Sequence, residues 1–177
     1  MRVKTLHSEL LPAFFIEGNI EAADLEWIYE RSSSDKTILE IRCFKGKTTF
    51  AWLAGGANKV ISLDACDGRW DAAVNHEMLS VNLCRFCEKW EWIPDDGQRE
   101  AAIYASLNGK PPDIIFINVE LSGDRIESDL DLALRICPMH GLICGTGFPY
   151  MPAHLARWFS AWENFAHSIW TAQALSH

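Results

Sequence analysis

The stretch Thr37-Ile38-Leu39-Glu40-Ile41-Arg42-Cys43-Phe44-Lys45-Gly46-Lys47-Thr48-Thr49-Phe50-Ala51-Trp52-Leu53-Ala54 decides the fold. Its first five residues form a short run rich in β-branched and apolar side chains, the signature of a buried strand. Gly46 punctuates the chain, and apolar residues at helical spacing follow from Lys47 to Ala54. The same alternation continues outward. Lys59–Leu63, Glu91–Ile93, Asp113–Ile117 and Gly141–Cys144 are further strand candidates, while Trp70–Lys89, Gln98–Leu107 and Arg125–Cys137 carry helical spacing. Helices of about ten residues between strands call for parallel strands joined by right-handed crossovers. The expected class is α/β, with an open, mostly parallel sheet covered on both faces.

The flanks are read from that core. Ile20–Arg31 places Ala23, Trp27 and Ile28 on one stripe, a leading N-terminal helix that Ser32-Ser33-Ser34-Asp35 ends. Past the last strand, Pro149 and Pro152 flank a turn, Ala153–Asn164 reads as a helix, and Phe165–Leu175 as a closing strand. The expected organisation is one domain over 1–177, with a leader and helix at 1–33, an α/β core at 37–148 and a helix plus edge strand at 149–177. A chain of 177 residues that is 49% hydrophobic suits a single domain with a sizeable core.

Sixteen Lys and Arg against twenty-four Asp and Glu give a net charge of -8. That balance disfavours nucleic acid and anionic membrane surfaces as partners. The early apolar run Leu10–Ile16 is broken by Pro12 and followed by Glu17, which suits neither a secretory signal nor a membrane span. Six cysteines without such a signal fit free thiols in a reducing, cytoplasmic setting.

In an open α/β sheet, ligands bind beyond the carboxyl ends of the strands, where the strand order reverses. The Glu40–Gly46 loop would bring backbone N–H groups and a positive helix end toward an anionic group. Asp64 closes the second strand, where a carboxylate can accept hydrogen bonds from both ribose hydroxyls. Together they suggest a nucleoside-bearing ligand; separately, the glycine reads as a turn and the acid as a helix cap.

Glu40-Ile41-Arg42-Cys43-Phe44-Lys45-Gly46, Asp113-Ile114-Ile115-Phe116-Ile117-Asn118-Val119-Glu120-Leu121-Ser122 and Pro138-Met139-His140-Gly141-Leu142-Ile143-Cys144-Gly145 follow one another in a known order. The sequence resembles the class I S-adenosylmethionine-dependent methyltransferases, within them the small O-methyltransferase-like proteins whose first motif reads Glu-Ile-Gly-x-x-x-Gly. The resemblance implies a Rossmann-like doubly wound sheet and S-adenosylmethionine as cofactor. It implies that Glu40 and Gly46 shape the methionine pocket, that Asp64 holds the ribose, and that Asp95 or Asp96 meets the adenine amine. Arg42 stands at the motif's first glycine, where a side chain would crowd the cofactor or reach for its carboxylate. Asn118-Val119-Glu120-Leu121 stands where the family has Asp-Gly-Asp-His, and Thr146-Gly147-Phe148 where it has His-Asp-Tyr. Hard cations want several oxygen ligands and Glu120 alone remains, so no metal is expected.

Methyl transfer from a sulfonium needs proximity and a base for the acceptor's proton. Glu120 and His154 are the candidate catalytic residues, with Asp124 and Tyr150 nearby in sequence; each also reads as a solvated loop residue. His76 reads as a surface histidine. Cys84-x-x-Cys87 and Cys137-x-x-His140 supply four zinc-type ligands, but the methyltransferase strand order would hold them roughly 19 Å apart, too far to share an ion. Trp158 and Trp162, four apart in the tail helix, read as packing, with a lid, an acceptor wall or a subunit contact as the alternative. Asp113–Asp131 holds six acids against Arg125, which favours a neutral or cationic small-molecule acceptor. Homo-oligomers are left open. Two functions stand: methyl transfer to a small molecule, or a methyltransferase-like protein without transfer activity that serves as a binding or scaffold partner. Arg42 separates them.

Overall fold

The computed structural model describes residues 7–65, 72–95, 99–118, 123–138, 141–147, 159, 162–164 and 169–173. Successive side chains along β1 (Thr37–Ile41) point to opposite faces. Ile38 and Glu40 go one way, Leu39 and Ile41 the other, and all four are buried. Such a strand must be covered on both sides. On one face lie α1 (Ala22–Arg31), α2 (Lys47–Ala54) and the inner side of α3 (Ala72–Asn82), packed around Trp27, Trp52, Phe116 and Leu79. On the other, α4 (Arg99–Ser106) and α5 (Gly123–Ile136) bring Ile103, Ile126, Leu130 and Ala133 against Leu39, Ile41 and Ile115.

The strands β2 (Lys59–Ala65), β3 (Trp90–Asp95), β4 (Ile114–Ile117) and β5 (Leu142–Gly145) run parallel with β1, while β7 (Trp170–Gln173) pairs antiparallel with β5 and β6 (Trp162–Asn164) pairs antiparallel with β7. Their order is β3-β2-β1-β4-β5-β7-β6. The order reverses between β1 and β4, and α2 and α5 leave that point toward opposite faces. A doubly wound α/β sheet is therefore present. The expected bounds of β1 and α2 coincide with the observed ones, and β2, β4, β5, α4 and α5 start and end within two residues of expectation.

A 3-10 helix, Ser8–Phe15, precedes α1 and contains Pro12. Three local readings are corrected. The buried stripe of α1 is Asp24, Leu25, Trp27 and Ile28, and Ala23 is exposed. The third helix stops at Asn82, and Cys84–Phe86 forms a separate 3-10 turn. Trp162 lies in β6, paired with Ala172, and not on a helix; β7 falls inside the expected closing strand, but β6 takes the edge. Residues 153–158 and Trp158 lie outside the described residues.

Close approach fixes the β5–β7 seam. A Cβ on Gly145 would stand 2.3 Å from the Ile117 carbonyl oxygen and 2.8 Å from Trp170 Cζ2. The fully buried Trp170 ring fills that space, and its Nε1–H donates to the Thr146 carbonyl at 2.8 Å. Trp52 plays the same filling role opposite, edge-on to Trp27 and Phe116 with centroids 6.5 and 5.5 Å away. Among the described residues, no helix is long and apolar enough to cross a membrane.

Candidate functional site

The site is built where β1 and β4 end. Glu40, next to last in β1, stands in register with Ser62 of β2 and Phe116 of β4. It is fully buried on the face that α2 covers. A buried carboxylate must be hydrogen-bonded, and the first turn of α2 supplies hydroxyl donors from Thr48 and Thr49. Asn118 Nδ2 donates at 3.0 Å and Ser62 Oγ at 3.4 Å. Burial pushes the Glu40 carboxyl above its ordinary value, while these four hydrogen bonds act against the shift. Ser62 Oγ accepts in turn from Trp90 Nε1 at 3.1 Å. Glu40 thus ties β1, α2, β2 and the end of β4 together from beneath the loop, shaping it from inside.

Gly46 is the N-cap of α2 with φ 84°. Its carbonyl accepts from the Phe50 N–H at 2.8 Å, and a Cβ there would stand 2.8 Å from Leu79 Cδ2 and 3.3 Å from Leu83 Cδ1. Glycine is required twice over, by the left-handed backbone and by the close approach of α3. Asn82 fastens the same contact, its Nδ2 donating to the Lys45 carbonyl at 2.9 Å.

Arg42 adopts φ 67° and Phe44 φ 48°. Left-handed backbone at a non-glycine residue costs about 1 to 2 kcal/mol, so surrounding contacts must hold it. The Arg42 N–H donates to the Leu63 carbonyl at 2.6 Å. Its guanidinium runs to α5, where Nε meets Asp129 Oδ2 at 2.5 Å. Asp129 is buried and also receives Arg99 Nη1, from the start of α4, at 3.3 Å. Arg99 Nη2 donates to Ser128 Oγ at 2.6 Å. The Arg42 side chain is thus committed to a helix on the far face of the sheet.

Asp64 lies at the end of β2, half-buried, with Oδ2 accepting from the Phe44 N–H at 2.5 Å and from the Cys43 thiol at 3.7 Å. A carboxylate accepts about four hydrogen bonds, and these two brace the loop from β2. Burial, with Asp64 and Glu40 beside it, pushes the Cys43 thiol well up, making it an inert core group. Asn118 donates to Thr48 Oγ1 at 3.0 Å as well as to Glu40, and its N–H binds the Ile41 carbonyl at 3.0 Å. An amide here has a local reason: a carboxylate would face Glu40.

Glu40, Arg42, Gly46, Asp64 and Asn118 are therefore brought to one end of the sheet. The backbone of Asp95 ends β3 at the same edge, in register with Ala65. Asp96, Glu120, His154 and Tyr150 lie outside the described residues. The acidic run is dispersed: Asp113 sits at the opposite end of β4 and caps the Thr37 N–H at 2.8 Å, Asp129 is paired with two arginines, and Asp131 pairs with Arg135. Cys84 and Cys87 are exposed, and burial pushes Cys137 up to about 11; His140 lies outside the described residues. His76 is exposed and leans on Trp92, with centroids 4.6 Å apart.

Sequence reasoning missed Asp129 and Arg99, as well as Thr48, Thr49 and Ser62 as partners of Glu40. A signal for Asp129 existed, since an acid flanked on one helical stripe by Ile126, Leu130 and Ala133 must be buried and paired.

No protein-family model matches the sequence, and no curated protein matches it. Solved structures match its fold. The O-methyltransferase from Bacillus cereus in complex with SAH aligns with a TM-score of 0.68 and 12% identity, over 98% of this chain and 93% of that one. The cofactor-bound protein Rv0187 from MTB aligns with 0.67 and 13%, over 94% and 88%. The SAH-bound methyltransferase from Podospora anserina aligns with 0.59 and 14%, over 86% and 78%. At these identities the likeness is one of fold.

Proposed function

We propose that this chain, which has the fold of the class I S-adenosylmethionine-dependent methyltransferases, binds S-adenosylmethionine at the carboxyl edge of its sheet and transfers the methyl group to a small-molecule acceptor. The observation that carries the reading is Arg42. Its backbone keeps the positive φ a glycine would supply, and its side chain leaves for Asp129. The β1–α2 loop can thereby make the turn that a glycine would allow, which supports the reading although the motif's first glycine is absent.

The residues present fit the cofactor. The Asp64 carboxylate at the β2 end would hold the ribose hydroxyls, the loop 42–46 would back the methionine portion with Asn118 behind it, and Asp95 or Asp96 would meet the adenine amine. Glu40 would keep this loop rigid from below. When bound, the sulfonium supplies an electrophilic methyl carbon open to in-line displacement. The chain's own work is to orient the acceptor, exclude water and take the acceptor's proton, the last assigned to Glu120 or His154. A net charge of -8 favours a neutral or cationic acceptor, and the buried thiols Cys43 and Cys144 support a reducing, cytoplasmic setting.

One observation favours the second reading, a binding protein without transfer. Asn118 donates its amide to Glu40 and Thr48, so this position supplies neither a base nor an anionic metal ligand. The deciding experiment is the thermal midpoint with S-adenosylmethionine, S-adenosylhomocysteine or NAD at one hundred times a plausible dissociation constant. A ligand of the native state then adds about 2.7 kcal/mol, or about 5 to 10 °C. A shift with the two S-adenosyl ligands and none with NAD is expected; equal shifts, or none, would overturn the assignment. Release of labelled methyl from bound cofactor to a panel of small acceptors then separates transfer from binding alone.

A further inference from the structure

The boundary between β1 and β4 is where the strand order reverses. After β1 the chain passes to α2 on one face, and after β4 to α5 on the other, so the two connections diverge and leave a crevice. Arg42 belongs to the first connection and Asp129 to the helix of the second, 87 residues later. Their 2.5 Å contact spans the divergence. Arg99 adds the third connection, since it opens α4 just after β3 and reaches the other oxygen of the same carboxylate. One buried acid thus gathers the segments that follow β1, β3 and β4.

We propose that Asp129 is a positioning residue that, through Arg42 and Arg99, straps together the three connections around the crevice and so sets the affinity for the adenosyl ligand. This rests on the reading under Proposed function. The strap explains two otherwise separate facts. A strained φ at a bulky residue persists only where its surroundings over-determine it, and the Arg42 guanidinium is fixed in a site where Arg42 and Asp129 side chains are 12% and 2% exposed. A carboxylate on the apolar stripe of α5 is retained because two cations meet it there. A guanidinium is the suitable cation, since its fork leaves donors for further partners and its charge does not titrate.

The test measures the dissociation constant for S-adenosylhomocysteine by calorimetry, well below each variant's thermal midpoint so that only folded protein is read. Asp129→Asn and Arg42→Gly should each weaken binding by about tenfold to one hundredfold. The double variant should be no weaker than the worse single one, because both remove the same bridge. Arg42→Lys, which retains a cation, should recover part of the affinity. A purely structural bridge would lower midpoints and leave the constant of the folded protein unchanged. If Asp129→Asn does not fold, Arg42→Gly carries the test, since glycine suits φ 67°. Equal or tighter binding by Arg42→Gly overturns the strap while leaving the cofactor assignment intact. No heat with the unmodified chain overturns the cofactor assignment, and the strap with it.

Discussion

Asn118→Asp exchanges a donor for an acceptor 3.0 Å from a buried Glu40 oxygen. Two carboxylates at that separation would repel by about 5 to 6 kcal/mol at an effective dielectric of about 20. The pair avoids this by binding one proton. Protonating an aspartate of ordinary pKa ~3.9 at pH 7 costs about 1.36 × 3.1, or about 4 kcal/mol, and about 1.5 kcal/mol at pH 5. Burial has already raised Glu40, so Glu40 is the cheaper acceptor of the proton and these figures are upper bounds. The shared proton also restores the hydrogen bond between the two groups. At pH 7 the folded variant holds a proton that the unfolded chain does not, so its stability falls as pH rises. At ~2 to 4 °C per kcal/mol, the midpoint should lie up to about 8 to 16 °C below the unmodified chain at pH 7, narrowing to about 3 to 6 °C at pH 5. Melts followed by circular dichroism between pH 5 and pH 8 read this directly. Asn118→Ala is the control: it removes a donor that holds the Glu40 shift down but adds no charge, so its deficit should also grow with pH, less steeply than that of Asn118→Asp. A deficit for Asn118→Asp that grows no more steeply than that of Asn118→Ala, or is absent at pH 8, would refute the assignment of Asn118 as the donor that lets Glu40 be buried.

Gly46→Ala should cost about 2 to 4 kcal/mol, from left-handed strain plus crowding against Leu79 and Leu83. Leu79→Ala in the same chain should relieve only the crowding, and a neutral Gly46→Ala in scanning fluorimetry would remove the packing role given to α3. Glu40→Gln addresses the raised carboxyl: the folded state holds that proton more tightly than the unfolded chain, so ionised Glu40 lowers stability as pH climbs above about 4.5. Urea midpoints should therefore shift in the variant's favour between pH 4.5 and pH 8, and a shift the other way would mean that the four hydrogen bonds outweigh desolvation.

Much of the architecture was legible because its signals are local. Gly46 stops a β-branched run and Lys47–Ala54 resumes at helical spacing, so β1 and α2 were readable from eighteen consecutive residues. The tail resisted for the opposite reason. A strand of three residues has no period to detect, and Trp162, four after Trp158, looked helical although its backbone pairs with Ala172. Ser8–Phe15 drew no reading as an element, and it folds as a tight helix that accommodates Pro12. At the site, Glu40, Gly46 and Asp64 were readable from their places at strand ends. The partner of Arg42 was not, because no local rule joins residues 87 apart. Only the buried acid on the α5 stripe hinted that a cation had to arrive from elsewhere.

The strand order carries a consequence for folding. Among the described residues β7 is last in the chain, yet it is inserted between β5 and β6. The parallel strands can pair before it arrives, and β5 then shows an open edge beside Gly145, in the space that the Trp170 ring fills once β7 docks. Such an edge invites pairing with other chains. Docking of the β6–β7 hairpin is then the step that protects the newborn protein, and a released chain cut short before residue 170 would be left in its most aggregation-prone form.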